Sequence, residues 1–289
     1  MFCDLHNHSS CSDGTLTPSE LAATAAEAGL GAVALTDHNT VSGLHEFVRS
    51  ARELGVEPVP GVEISTEYPV DGEVHEFHVL ALFLGEASAE QVETMLREAR
   101  RCSDVSKREL VDRLRAGGYD IPTYDEIRAE AGGVSINRAH VAAHLVRLGY
   151  AADRKEVFDT ILDENSGYYR PARRLDSLEV ISAIRHMGAV SVLAHPLLHL
   201  EAHRLEGFLE KASAAGLDAM EVYYSEYDER QTEQALALAG RYGLACSGGS
   251  DFHGGNKPHI TIGAGKGDLA VPYEWYERLK AIHDSRTSK

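Results

Sequence analysis

The feature that most constrains the fold of this chain is an alternation of strand-like and helix-like segments along most of its 289 residues. Seven short β-rich runs recur: MFCDLHNH, GAVALTD, VEPVPGVEIS, HEFHVLALFL, AVSVLAHP, DAMEVYYS and GLACSGGSDF. Helix-start signals lie between them. Thr17-Pro18-Ser19-Glu20 combines an N-cap, a proline at the first helical position and a capping-box glutamate, and Ser88, Thr123 and Asp176 begin similar patterns. This alternation predicts an α/β architecture with parallel strands.

The alternation is interrupted once, between about Arg100 and Arg173. This stretch has helix signals, such as SKRELVDRLRAGGYDI and NRAHVAAHLVRLGY, but no convincing strand. We therefore predict a barrel formed by residues 1–100 and 173–289, with residues 101–172 forming a small inserted helical domain.

Composition narrows the functional classes. The net charge of −17 disfavours long nucleic acid polymers but leaves small phosphorylated ligands open. Four scattered cysteines, the absence of a secretory signal pattern and apolar runs too short to span a bilayer predict a cytoplasmic protein. We expect no membrane partner and no obligate protein partner, with a monomer as the default.

Potential metal ligands cluster at the ends of the predicted strands. In a parallel α/β barrel these ends converge on one face, where imidazoles and bridging carboxylates can surround several ions. His6 and His8 are two residues apart, so on an extended segment they point the same way and can bind one ion. The residues at these positions are His6, His8, Asp13, Asp37, His38, Glu63, His75, His78, His195, Asp251 and His253.

Some of these residues have two interpretations. His75 and His78 are three positions apart and would face opposite sides of a strand, so we expect one to be a ligand and favour His78. Asp37 either orients an imidazole or accepts a proton from water, or it caps the following turn. Glu221 is a weaker candidate of the same kind. A single strand-end histidine is usually structural, but ligand types at five separate strand ends are hard to explain by packing.

The motifs DLHNHSSCSDG, ALTDHNTVSG, GVEIS, HEFHVLAL, VLAHP and GGSDFHG resemble, in order, those of the PHP (polymerase and histidinol phosphatase) family. The resemblance implies a distorted seven-stranded (β/α)7 barrel with two to three divalent ions: manganese, iron or zinc. It implies three ligand sets: His6, His8, Glu63 and Asp251; Glu63, His78 and His195, with Glu63 bridging; and Asp13, His38 and His253.

The insert resembles that of a PHP branch of small nucleotide and sugar phosphoesterases, where it would cap the substrate. Arg138 and His140 stand where family members often have Gly-Arg-Pro-His, although Asn137 and Ala139 differ here. We expect Arg138, His140 and Arg170 to contact phosphate. Arg173 and Arg174 are weaker candidates for the same role. Lys257, after the last strand, either touches substrate or is simply solvated.

Together these features imply a metal-dependent phosphoric ester hydrolase in which a metal-bridged hydroxide attacks phosphorus, with Asp37, Glu63 and Asp251 in catalytic roles. The first expected substrate is a nucleoside 3′,5′-bisphosphate that loses its 3′-phosphate. The alternatives are a cyclic sugar phosphate phosphodiesterase, a 5′→3′ exoribonuclease on short RNA and a histidinol phosphatase. More distant ones are a non-catalytic metal-binding PHP module and a metal-dependent amidohydrolase.

Overall fold

Strands and helices alternate in the computed structural model, which describes residues 1–131, 136, 138–170, 172, 174–198 and 200–288. The strands are β1 Phe2–Asp4, β2 Ala32–Leu35, β3 Glu57–Val70, β4 Glu73–Leu82, β5 Leu175–Asp176, β6 Val190–Ala194, β7 Ala219–Tyr224, β8 Ala245–Gly249 and β9 Val271–Pro272. The helices are α1 Pro18–Glu27, α2 Leu44–Glu53, α3 Glu86–Ala116, α4 Tyr124–Glu130, α5 Arg138–Arg147, α6 Arg154–Asp159, α7 Ser177–His186, α8 Ala202–Ala215, α9 Glu229–Tyr242 and α10 Tyr273–Thr287.

The chain divides into two compact units. One, the barrel unit, comprises Met1–Thr94 and Leu175–Lys289, and the other, the insert unit, comprises Met95–Arg174. The described part of the insert unit is helical, and its own core is formed by buried side chains such as Leu110, Leu114, Ile127, Val141 and Leu145. None of the helices in the described ranges is both long and apolar enough to cross a bilayer.

The barrel unit is built around one mixed sheet with the strand order β8-β7-β6-β4-β3-β2-β1-β9, and β5 pairs with β3. The sheet nearly closes on itself because the chain after β1 meets β8: the Leu5 N–H donates to the Gly248 carbonyl at 3.1 Å. Asn7 and Phe252 form a further parallel bridge. The predicted α/β barrel-like fold class is confirmed.

The seven predicted strand runs correspond to β1–β4 and β6–β8, and the described sheet also contains the two-residue strands β5 and β9, whose patterns are too short to be recognised in the sequence. The prediction of parallel strands is wrong in part, since β4 is antiparallel to both β3 and β6, and β9 is antiparallel to β1.

The antiparallel position of β4 follows from a tight turn. Asp71 and Gly72 join β3 to β4 with φ angles of 52° and 84°. Positive φ at both central residues is the signature of a type I′ hairpin, and Asp-Gly is a favoured sequence for it. In the resulting register Glu63 lies opposite Leu80, so His78 is its diagonal neighbour on the same face.

The helix starts agree closely with the sequence signals. Thr17 and Thr123 both form complete capping boxes, with Glu20 and Glu126 respectively. Asp176 caps α7 by accepting from two backbone N–H groups. Helix α3 begins two residues before Ser88, whose hydroxyl donates to the Gly85 carbonyl at 3.0 Å.

Candidate metal centre

The potential ligands in the barrel unit come from the carboxyl ends of several strands and meet in one place. His6 and His8 follow β1, His38 follows β2, and Asp251 and His253 follow β8. Glu63 and His78 lie within the β3–β4 hairpin, and His195 directly follows β6. His38 and Glu63 also form an isolated parallel bridge, which fixes these two backbones side by side.

Glu63 is the hub of the centre. Its carboxylate is fully buried, and each of its two oxygens faces a different set of imidazoles. Oε1 lies 2.7 Å from His78 Nδ1 and 3.0 Å from His195 Nε2. Oε2 lies 3.1 Å from His6 Nε2, His8 Nε2 and His38 Nδ1. A carboxylate so placed can bridge two ions.

Three groups of side chains have ligand atoms within 4.8 Å of one another, and Glu63, His8 and His38 are each shared between two groups. The groups are His6, His8, Glu63 and Asp251; His38, Glu63 and His78; and His8, Asp13, His38 and His253. The first group matches one predicted ligand set. His195 belongs to none of the three groups, yet its Nε2 contacts the Glu63 carboxylate.

The donor atoms fit a metal site better than a hydrogen-bond network. Among the described residues, His6 Nε2, both ring nitrogens of His8 and Glu63 Oε2 are buried without a hydrogen-bond partner. His6 Nε2 and His8 Nε2 nevertheless each lie 3.1 Å from Glu63 Oε2. Ligands at about 2.0–2.2 Å from one ion lie roughly 3 to 3.5 Å apart. Atoms that converge at this spacing without hydrogen-bond geometry are arranged as if around a cation.

The backbone at the centre is strained in two places. His195 has a φ of 30° and Asp251 has a φ of 55°, both in the left-handed region that non-glycine residues rarely adopt. Gly249 allows β8 to pack directly behind His6, because a Cβ atom there would lie 2.4 Å from the His6 Cβ. These features place the imidazoles and the Asp251 carboxylate at close quarters.

Buried neighbours orient the ligands. His6 Nδ1 is 2.9 Å from Glu221 Oε1, and the backbone N–H of His195 donates to Glu221 Oε2 at 2.7 Å. Because a carboxylate only accepts, Nδ1 of His6 carries the proton and Nε2 is left to bind metal. Asp251 Oδ2 accepts from Tyr224 at 2.9 Å, while Oδ1 faces His8 Nε2 at 3.1 Å.

Charge explains the ionisation of the clustered groups. Burial opposes protonation of His6, but the Glu221 and Glu63 carboxylates outweigh it and raise its pKa well above the usual value. Burial would raise the pKa of Glu63, but His6 and His38 hold it well below the usual range. Burial also opposes protonation of His78, yet Glu63 and Glu76 raise its pKa to about 9. The buried carboxylates are therefore ionised only because positive charge lies beside them, and either protons on the histidines or bound metal ions can supply that charge.

Asp37 directly precedes the candidate ligand His38 in the sequence. Its side chain is buried, and its oxygens accept from the Ser9 N–H at 2.8 Å, the Ser9 hydroxyl at 2.6 Å and the Ser12 hydroxyl at 2.6 Å. These bonds organise the loop that carries His8 and Asp13. They do not cap the turn that follows Asp37, so both the capping and the catalytic interpretations of this residue stay predictions.

The two histidines of β4 have different surroundings. His78 contacts Glu63, whereas His75 Nε2 lies 3.3 Å from Arg204 Nη2 and 3.6 Å from Glu73 Oε2. Only His78 therefore lies among the candidate ligands, as three-residue spacing on a strand requires.

The predicted phosphate contacts lie in the insert unit. Arg138 begins α5, with its guanidinium over the rings of Tyr169 at 4.3 Å and Phe158 at 5.5 Å. His140 is half-buried on the same helix and Arg170 is exposed. Arg174 interacts with other groups of the protein. Asn137 and Arg173 lie outside the described residues.

Sequence reasoning underestimated two buried carboxylates. Glu221 was only a weaker candidate for orienting an imidazole, yet it contacts two candidate ligands, His6 and His195. Asp4 was not considered, yet it accepts from the backbone N–H groups of Ser250 at 2.9 Å, His6 at 3.3 Å and Gly263 at 2.7 Å. A carboxylate inside an apolar strand was the available signal for each of them.

The chain resembles curated relatives with three different activities. It is 31% identical to a 5′-3′ exoribonuclease of Haemophilus influenzae, over 86% of this chain and 89% of the relative. It is 30% identical to a 3′,5′-nucleoside bisphosphate phosphatase of Chromobacterium violaceum, over 86% of each. It is 28% identical to a phosphoribosyl 1,2-cyclic phosphate 1,2-diphosphodiesterase of Eggerthella lenta, over 90% of this chain and 98% of the relative.

Solved structures give the same result for the fold. A protein of Bifidobacterium adolescentis, provisionally described as a metal-dependent phosphoesterase, matches with a TM-score of 0.70 and 30% identity, over 97% of this chain and 96% of that one. A Chromobacterium violaceum protein described as an amidohydrolase with bound sulfate matches with a TM-score of 0.71 and 27% identity, over 98% and 97%. Residues 4–172 match the PHP domain family. The chain therefore belongs to the PHP domain family.

Proposed function

We propose that this PHP-family phosphoesterase hydrolyses a phosphate ester of a small nucleotide. Its preferred substrate in this proposal is a nucleoside 3′,5′-bisphosphate, from which it removes the 3′-phosphate. In that reaction the oxygen of water forms a bond to phosphorus and the ester P–O bond breaks. The departing 3′-oxygen takes up a proton, and the products are a nucleoside 5′-phosphate and inorganic phosphate.

The observation that carries the proposal is the position of Glu63, whose two carboxylate oxygens each face a separate set of imidazoles. Divalent ions held by these groups supply the chemistry that phosphate ester hydrolysis needs, since they lower the pKa of a bound water and neutralise charge on the phosphate. His6, His8, Glu63 and Asp251 would hold one ion. His78 and His195 with Glu63 would hold another, and Asp13, His38 and His253 a third.

The protein's own groups fix this arrangement in advance. Glu221 holds His6 with its Nε2 directed at Glu63, and Tyr224 holds the Asp251 carboxylate by one oxygen, so that the other is available. Such preorganisation removes the need for the ligands to reorient when substrate binds. In the insert unit, we propose that Arg138, His140 and Arg170 contact the substrate phosphates, Arg138 with a guanidinium plane set by Tyr169.

Choice of a single nucleotide over long RNA is supported by charge. The chain carries 45 acidic and 28 basic residues, and a net charge of −17 repels a polyanion more strongly the longer it is. The second candidate is 5′→3′ hydrolysis of short RNA, because the Haemophilus relative has that name and the chain covers 89% of it.

The test is a panel of substrates offered to protein reconstituted with Mn²⁺ or Zn²⁺: adenosine 3′,5′-bisphosphate, a 5′-phosphorylated tetraribonucleotide and a ribose 1,2-cyclic phosphate. The proposal predicts fastest release of phosphate from the bisphosphate, with adenosine 5′-phosphate as the other product. Faster removal of mononucleotides from the RNA would overturn the choice of substrate in favour of the second candidate.

Two matched variants distinguish the loss of a candidate metal ligand from the general effect of removing one negative charge. Asp251→Asn should abolish hydrolysis, because it removes a charged oxygen that lies among the candidate ligands. Asp268→Asn, which removes the same charge from an exposed position of the same unit, should retain wild-type activity. Normal turnover by Asp251→Asn would refute the assignment of the site.

A further inference from the structure

Lys257 is held in a fixed position beside the candidate metal centre. It follows a short 3₁₀ turn at Gly254–Asn256; its N–H donates to Gly254 at 3.2 Å, and its carbonyl accepts from Ile260 at 3.0 Å. The turn is tied to the loop after β1, because Asn256 Nδ2 donates to the Asp13 carbonyl at 2.7 Å. The lysine backbone is therefore anchored to the loop that carries the Asp13 side chain.

The ammonium group sits on the outer side of a candidate ligand. Lys257 Nζ lies 2.6 Å from Asp251 Oδ2, whereas Asp251 Oδ1 faces His8 Nε2. The lysine side chain is 31% exposed and the aspartate side chain only 7%. The positive charge thus lies next to the buried ligand carboxylate and is itself partly open to solvent.

The Asp251 carboxylate is held in position by a second group besides this lysine. The same oxygen, Oδ2, already accepts a hydrogen bond from the hydroxyl of Tyr224, which is buried. A lysine ammonium carries three N–H donors, and the contact with Asp251 uses one of them. The partly exposed Lys257 therefore retains donors that can bind an anion.

The negative net charge of the barrel unit is a reason for a local cation to bind the phosphate. In the barrel unit 13 residues are Lys or Arg and 32 are Asp or Glu, a net charge of −19, whereas the insert unit has 15 and 13, a net charge of +2. Residues 1–94 contribute only two of the basic residues, Arg49 and Arg52. A phosphate dianion that approaches such a unit is repelled unless local positive charge offsets the field.

We propose that Lys257 binds an oxygen of the substrate phosphate through the N–H donors that Asp251 does not use. This inference rests on the proposed phosphoesterase function. A compact ammonium suits a tetrahedral phosphate, because it acts as a point charge with no demand for planar geometry. No bond forms or breaks at Lys257; it contributes binding and neutralises charge on the phosphate.

The test compares Lys257→Gln with Lys266→Gln in metal-loaded protein. Lys266 lies in the same segment after β8, is 49% exposed and pairs with Glu226, so its replacement makes the same change of charge away from the site. The binding of inorganic phosphate is measured by calorimetry, and metal content by elemental analysis. Lys257→Gln should weaken phosphate binding by about 10- to 100-fold, as loss of a charged hydrogen bond implies. Lys266→Gln should leave it within twofold, and both variants should keep their metal.

An unchanged phosphate affinity in Lys257→Gln would overturn the proposal. Loss of metal from that variant would also overturn it, because the lysine would then act by positioning Asp251. Phosphate binding is measured without turnover, so the two proposals fail separately. A protein that binds phosphate through Lys257 but hydrolyses no ester would refute only the proposed function.

Discussion

Replacing Glu221 with glutamine tests how the buried neighbours control the centre. Glu221 offers two acceptor oxygens, one to His6 Nδ1 at 2.9 Å and one to the His195 N–H at 2.7 Å. Glutamine offers one acceptor and one NH₂ group. The variant must therefore leave one buried N–H unpaired, or shift the His6 proton to Nε2, the atom needed for the metal.

Either outcome weakens metal binding. An unpaired buried donor costs about 1–3 kcal/mol, which corresponds to roughly a 5- to 150-fold change in affinity. Changes to groups that orient metal-bound histidines typically cost about 10- to 100-fold. We expect the dissociation constant for Mn²⁺ or Zn²⁺ to rise by about 10- to 100-fold in Glu221→Gln.

The assay is competition with a fluorescent chelator, run beside the exposed α9 variant Glu233→Gln as a control for loss of one negative charge. Thermal unfolding of both metal-free variants separates a general loss of stability from a change at the site. Wild-type metal affinity in Glu221→Gln would refute the reasoning that Glu221 fixes the tautomer of His6.

Three further predictions concern stability and reactivity. Gly249→Ala should lower the free energy of unfolding by about 1–3 kcal/mol in urea denaturation, because its Cβ would collide with His6. Gly240→Ala on α9, where a Cβ meets nothing within 4 Å, should instead raise it by about 0.5–1 kcal/mol; the opposite order would contradict the packing argument. Metal at a hundredfold excess over its dissociation constant should stabilise the protein by about 2.7 kcal/mol, seen as a higher Tm than in chelator; equal Tm values would argue against a metal site. Iodoacetamide should modify the exposed Cys11 and Cys102 in the folded protein but spare Cys3, since burial raises its pKa to about 12; mass spectrometry of labelled peptides that shows early modification of Cys3 would contradict this.

The sequence was sufficient to predict the fold class and the convergence of His, Asp and Glu side chains from strand ends, because both depend on local patterns. Apolar runs that end in His, Asp or Glu mark strand ends whatever the strand order is. The directions of the strands were harder to predict from the sequence. The Asp71-Gly72 signal for a hairpin is present in VDGE, but the adjoining strands were interpreted as members of parallel units. As a result the antiparallel course of β4 was missed.

Residues that act through a second residue were the hardest to predict. Glu221 and Asp37 have similar sequence contexts, since each is a carboxylate at or near the end of an apolar strand. In the structure Glu221 contacts His6 and His195, whereas Asp37 contacts Ser9 and Ser12. The difference depends on the register of distant strands, which no local pattern encodes.

The most direct test of the account is to measure bound metal and ester hydrolysis together in wild-type protein and Glu63→Gln. Glu63 is the carboxylate that five imidazoles contact, so its amide should lose at least one ion and nearly all hydrolysis of adenosine 3′,5′-bisphosphate. Wild-type protein should bind two or more ions per chain and release phosphate only when they are present. A Glu63→Gln protein with the full complement of metal and wild-type turnover would contradict the central claim that this buried carboxylate organises a metal-dependent phosphoesterase site.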